Sequence, residues 1–139
     1  MKRVFVDTSA LAALADRDDD NYANAVEFNK TISGVKLVTS NYVLDELYTL
    51  LLLHIGYAKT VAFKNKLDTL TARQFLKIIW INEEIAAKAW AIFEKFNPDK
   101  QWSFTDCTSY VVMQEQGITD VFTFDRHFSQ MGFSRLPRG

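Results

Sequence analysis

The chain holds a single cysteine, Cys107, so no disulfide can form within it, a pattern that suits a reducing compartment. Its five glycines and two prolines leave little room for linkers or low-complexity tracts, and no internal repeat is readable. The longest nearly uncharged apolar run, TLLLLHIGYA, is about half of what a bilayer span requires. Asp7 interrupts the apolar start where a cleavable signal would need continuity. Together these absences predict a cytoplasmic protein without membrane association. Charge of one sign is also missing: the net charge is −1 and the pI about 6.1. Any polyanion must therefore be met by a local patch or a bound cation, because the whole-molecule field does not attract one.

What is present is a core. A hydrophobic content of 48% and an aromatic content of 14% are too apolar for disorder, and 139 residues fit one domain over 1–139. Short β-branched and aromatic runs predict strands at Val4–Val6, Val35–Val38, Phe75–Ile81, Val121–Phe124 and, more weakly, Phe133–Leu136. Helical periodicity between them predicts helices at Ser9–Ala15, Tyr22–Ile32, Asn41–Gly56, Ala58–Leu70, Asn82–Phe96 and Phe104–Gln116, with a short one near Asp125–Gln130. Ser40 or Asn41 can cap the third helix; Ser103 opens a Ser-x-x-Asp capping box, and Gly117 follows the end of that helix. Strands alternating with helices predict an α/β fold whose central parallel sheet, of about five strands, is covered on both faces.

In open parallel sheets, ligands bind beyond the carboxyl ends of the strands, where strand order reverses. Asp7 directly follows the first predicted strand and Asp125 the fourth, so both project from that edge. In SNYVLDELYTLLLL, helical geometry sets Glu46 in the apolar stripe of Tyr42, Val43, Leu50 and Leu53, whereas Asp45 shares a mixed face. In WSFTDCTSYVVMQEQG, Asp106 falls between Trp102, Tyr110 and Met113 within the first helical turn, where the helix dipole offsets little of the cost of burial. Four such carboxylates repel one another unless some are protonated or a divalent cation sits among them. An oxygen-only donor set suits Mg²⁺ or Mn²⁺, which take phosphate oxygens as further ligands and suit hydrolytic phosphodiester chemistry.

The segments VFVDTSALAALA, VTSNYVLDELYTLLL, WSFTDCTSYVVMQEQGI and DVFTFDRHFSQMGF, in this order and at this spacing, resemble the PIN-domain ribonucleases, and among them the compact VapC-type toxins of toxin-antitoxin pairs. The resemblance spans nearly the whole chain. It implies a three-layer α/β/α sandwich and an acidic quartet that holds Mg²⁺ or Mn²⁺ for endonucleolytic cleavage of RNA, leaving a 5′-phosphate and a 3′-hydroxyl. The quartet falls on Asp7, Glu46, Asp106 and Asp125. Polar helpers are implied at Thr8 or Ser9 beside the first acid and Thr105 beside the third. The implied partners are an RNA substrate, an antitoxin that covers the acidic pocket, and a second copy of the chain. The leucine-rich run Leu50–Leu53, apolar on every side of its helix, offers surface for a partner, or else lies buried between neighbours in the monomer.

RNA also needs cations and stacking groups around the acids, for which Arg126, His127 and Trp102 are the nearest candidates and Arg135, Arg138, Lys59, Lys64 and Lys66 more distant ones. Competing readings exist. DRDDDNYANAVE follows the EF-hand register through Asp16, Asp18, Asp20 and Glu27, but has Asn21 where that loop uses glycine and sits in a strand-helix setting; a solvated loop with Asp20 or Asn21 capping the next helix explains it as well. Asp106 and Asp125 each have a plain explanation as helix caps. A haloacid-dehalogenase-like phosphatase also places an aspartate after its first strand, but requires Asp-x-Asp, and here Ser9 occupies the second position. A non-catalytic RNA-binding or scaffold protein of the same fold is the remaining alternative. Cys107 reads as a small core residue, and His54 as a packing or helix-end group.

Overall fold

The computed structural model describes residues 2–138. Its elements run β1 (Arg3–Val6), α1 (Thr8–Ala15), α2 (Tyr22–Thr31), β2 (Lys36–Ser40), α3 (Asn41–Ile55), α4 (Tyr57–Ala72), β3 (Leu76–Ile79), α5 (Glu83–Phe96), α6 (Phe104–Gln116), β4 (Asp120–Phe122), α7 (His127–Gln130) and β5 (Ser134–Leu136). The five strands form one sheet in the order β3-β2-β1-β4-β5, with every pairing parallel. Successive strands first move outward from β1 to β2 and β3, and the chain then crosses back to lay β4 on the other side of β1. The reversal of strand order therefore lies between β1 and β4, where a parallel sheet opens a crevice at its carboxyl edge.

Parallel strands joined by helices must be apolar on both faces, and β1 is: Val4, Phe5 and Val6 are all buried. Helix α1 packs on both α2 and α3, and α3 on α4, while α6 packs on α3, α5 and α7. This is the α/β/α sandwich expected from the strand-helix alternation, with Phe122 and Phe128 among its largest fully buried side chains.

Where element ends differ from expectation, side chains have taken over backbone groups. β3 stops at Ile79 rather than Ile81 because Asn41 Oδ1 accepts the Ile81 amide at 2.7 Å. β4 stops at Phe122 rather than Phe124, whose amide donates to Ser9 Oγ at 2.9 Å. Ser40, not Asn41, caps α3, its Oγ accepting from Val43 N. Ser103 and Asp106 close the capping box of α6, and Gly117 takes the left-handed conformation (φ 67°) that ends it. The acidic stretch after α1 forms turns: Asp16 Oδ1 accepts from Asp18 N and Asp19 Oδ1 from Asn21 N. Asn21, not Asp20, takes the N-cap position of α2, without a side-chain cap bond and with its amide donating to Asp19 Oδ1, and the one cluster of metal-ligating side chains among the described residues lies elsewhere.

Candidate functional site

Asp7 sits at the turn from β1 into α1, as the N-cap of that helix, and its amide donates to Phe122 O across the strand-order reversal. The side chain is 4% exposed. Its Oδ2 accepts from Ser9 Oγ at 2.9 Å, from Thr123 Oγ1 at 2.8 Å and from Ser9 N at 3.4 Å. Three donors thus converge on one oxygen and fix the carboxylate plane. Burial first, and the charge of Asp106 second, push its pKa up to about 6 against the pull of those donors.

Asp106 belongs both to the α6 capping box and to the cluster. Its Oδ2 accepts from Ser103 N at 3.3 Å and lies 3.0 Å from His127 Nδ1. Burial raises its pKa, His127 opposes that, and Asp125 adds to it. Asp125 stands half-buried beyond β4, its Oδ1 accepting from His127 N at 2.9 Å and lying 3.3 Å from His127 Nδ1. One imidazole thus touches both carboxylates, and Asp106, Asp125 and His127 can bring one ligand atom each to within 4.8 Å of the others. Asp106 is the third residue of the α6 capping box, whose cap is Ser103, and Asp125 precedes the α7 cap, Arg126, while accepting from His127 N; these local bonds hold the two carboxylates in place.

Glu46, exposed on α3, feels the charges of Asp106 and Asp125 but is not among the groups that converge within 4.8 Å. The buried stripe of α3 is Val43, Leu44, Leu47 and Leu51, whereas Leu53 is 76% exposed. Two apolar stripes compete in a helix so rich in leucine: of the one containing Glu46, Val43 is fully buried and Tyr42 and Leu50 half-buried, while Leu53 and Glu46 are exposed. Its carboxyl end is nonetheless raised in pKa, by desolvation first and then by Asp106, and is opposed by hydrogen bonds from Thr105 and Thr8. The Thr8 hydroxyl itself donates to Val43 O at 3.5 Å, and that of Ser9 serves Asp7. Ser9 is wholly engaged in this, so no second acid stands where phosphatase chemistry of the Asp-x-Asp type needs one.

Trp102 requires correction. It is 3% exposed, packed against Phe96 and Tyr110, and its indole N–H donates to Gln130 Oε1 at 2.8 Å, so it cannot stack on a base. Arg126 is exposed and lines a cavity with His127 and Lys100. Lys64 is paired with Asp68, while Lys59 and Lys66 line a separate cavity beside Arg17. His54 is exposed in the last turn of α3. Cys107 is buried, and burial with the nearby Asp106 charge pushes its thiol up to about 11.

The residue that sequence reasoning missed is Thr123. Its hydroxyl donates to Asp7 Oδ2 and accepts from Asp125 N at 3.0 Å, tying the first acid to the loop that carries the last. The only trace of it in the sequence is its place at a strand end two residues before Asp125.

The PIN domain profile matches residues 4–134. The 23S rRNA-specific endonuclease VapC20 of Mycobacterium tuberculosis is 32% identical over 131 residues, covering 94% of this chain and 95% of that one. The crystal structure of VapC20, described as a Sarcin-Ricin loop cleaving toxin, superposes with a TM-score of 0.83 at 29% identity, covering 94% of this chain and 95% of that one. VapBC2 from Rickettsia felis, solved with a DNA fragment from its promoter, shares the fold at a TM-score of 0.64 and 16% identity, covering 96% of each chain. With a family match along almost its whole length and a relative of this similarity, the chain belongs to the PIN domain family, among its VapC-type ribonucleases.

Proposed function

We propose that the protein is a Mg²⁺- or Mn²⁺-dependent endoribonuclease, the toxin of a toxin-antitoxin pair, whose metal is held by Asp7, Glu46, Asp106 and Asp125. The observation that carries this reading is electrostatic. Asp7, Glu46 and Asp106 each have a pKa raised by desolvation first, with the charge of another carboxylate next or close behind. Nothing in the fold requires acids to gather at this edge, and a divalent cation among them relieves the repulsion. The donor set is the hard oxygen set that Mg²⁺ and Mn²⁺ prefer.

A bound cation supplies Lewis acidity at the phosphoryl oxygen and a lowered pKa for the attacking water. The protein's own part is positioning. Ser9 and Thr123 hold Asp7 in one orientation, Ser103 anchors Asp106 by its backbone amide, and His127 keeps Asp106 and Asp125 together. Arg126 and His127 stand at the edge of the cluster, where a phosphodiester can meet positive charge in a molecule whose net charge offers none. Attack in line with the leaving 3′-oxygen gives a 5′-phosphate and a 3′-hydroxyl.

An antitoxin and a second copy of the chain are the partners of this reading. Exposed apolar side chains support it: Leu53, Tyr57 and Trp80 are 76%, 75% and 70% exposed. No helix among the described residues is long and apolar enough to cross a membrane. The test is Mn²⁺ titration by calorimetry alongside RNA cleavage, for the wild type and Asp106→Asn. The expected result is metal binding and cleavage in the wild type and neither in the variant; equal binding and cleavage by both removes the assignment.

A further inference from the structure

A second feature of the carboxyl edge adjoins the acids. Between one face of α2 and the ends of β4 and β5 lies a cavity of about 650 Å³. Residues Asn21, Asn24, Phe28 and Thr31 line it from the helix side, at spacings that place them on one face of α2. Arg135 and Arg138 line it from the strand side, and Thr123 and Phe124 form the floor.

That floor is shared with the acidic cluster. Thr123 lines the cavity while its hydroxyl is bonded to Asp7, and Phe124 lines it while its amide is bonded to Ser9. Across the turn, Arg126 and His127 line the other cavity, of about 610 Å³, with Lys100. In the chain, Asp125 falls between residues that line the two cavities, each of which carries arginine.

The chemistry of the first cavity fits a nucleotide. Neither Arg135 nor Arg138 has a carboxylate partner among the described residues, and Arg135 is held by its Nε–H donating to Ser129 Oγ at 2.7 Å. Its remaining guanidinium donors are left for an anion, in the fork geometry that suits phosphate. Asn21 and Asn24 offer both donor and acceptor to a base edge, and the half-buried rings of Phe28 and Phe124 offer stacking faces. The single acid in the lining, Glu27, is largely exposed and lies 3.8 Å from Lys30.

We propose that the cavity between α2 and the β4–β5 edge is a binding subsite for a single-stranded RNA segment adjacent to the scissile phosphate, with Arg135 and Arg138 as its phosphate ligands and Asn21 and Asn24 reading a base. The assignment rests on RNA being the substrate. It accounts for how a chain of net charge −1 holds a polyanion beside four carboxylates.

The test is fluorescence anisotropy of labelled decauridylate with the wild type and with Arg135→Ala/Arg138→Ala, in EDTA so that nothing is cut, over a range of salt. Loss of two phosphate contacts is expected to lower affinity about tenfold at low salt and to flatten the slope of log K against log salt by about 1.4, since each contact on a single strand contributes about 0.7. Arg135→Lys/Arg138→Lys keeps the charge and is expected to keep most of the slope. In cleavage with Mg²⁺, the alanine variant is expected to raise KM and leave kcat unchanged. An unchanged slope and KM overturn the subsite and leave the nuclease reading standing. RNA bound through these arginines by a chain that cuts nothing would do the reverse. Equal affinity for polyglutamate of the same length marks an indiscriminate anion surface and also overturns the proposal.

Discussion

Asp7→Asn is expected to stabilise the metal-free protein while abolishing its activity. The Asp7 carboxyl rises from an ordinary 3.8 to about 6 on folding, because it is buried and faces Asp106. A rise of that size means that keeping Asp7 ionised in the fold costs about 3 kcal/mol. The folded chain holds this proton more tightly than the unfolded chain, so the cost is absent below about pH 3.8, grows as pH rises and is complete above about pH 6. Asparagine carries no charge and its carbonyl still accepts from the Ser9 and Thr123 hydroxyls, though less strongly than a carboxylate. A net gain of about 1–3 kcal/mol at pH 7.5 follows, or about 3–10 °C in Tm for a chain of this length. Urea or thermal unfolding in EDTA reads it directly, and the gap between variant and wild type should close as pH is lowered toward 4. Mg²⁺ should raise the wild-type Tm by mass action and leave the variant's almost unmoved. A variant less stable than the wild type at pH 7.5 in EDTA, or a gap that does not change with pH, would refute the reasoning.

Thr123→Val keeps the side-chain shape but removes the donor to Asp7 and the acceptor of Asp125 N. Cleavage should fall about 10–100-fold, as when a partner that orients a metal ligand is lost, with a stability loss of about 1–2 kcal/mol in urea titrations. Ser103→Ala removes the N-cap of α6 and should destabilise by about 1 kcal/mol, read as a lower urea midpoint, with Mn²⁺ binding weakened only as far as the Asp106 amide needs the lost hydroxyl, since the Ser103 amide that holds the carboxylate remains. Cys107, with its thiol pushed up to about 11, should resist iodoacetamide at pH 8 until the protein unfolds; fast labelling of the native chain would contradict its burial.

Much of this architecture was legible because local rules and the global fold agree. β-branched runs sit in buried parallel strands, and Ser103 with Asp106 caps the helix its spacing indicates. Asp7 and Asp125 could be placed because a parallel sheet sends every strand end to one edge. Glu46 was reached through a mistaken face: hydrophobicity alone cannot say which stripe of a leucine-rich helix turns inward, and Leu53 turned out. Trp102 shows that nearness in sequence to an acid says nothing about where a side chain points, since packing on Phe96 and Tyr110 took it into the core. Thr123 and the cavity beneath α2 join residues more than a hundred positions apart, and no local pattern encodes such contacts.

The most direct test of the carboxylate cluster as a nuclease centre is end-mapped cleavage of RNA by the purified chain, freed of any copurified partner, with Mg²⁺ or Mn²⁺, with EDTA, and with Asp7→Asn alongside. Discrete metal-dependent cuts bearing 5′-phosphate ends, absent in EDTA and in the variant, are the expected result. Cuts of equal rate by Asp7→Asn, or no cutting of any RNA together with no Mn²⁺ binding, would contradict it.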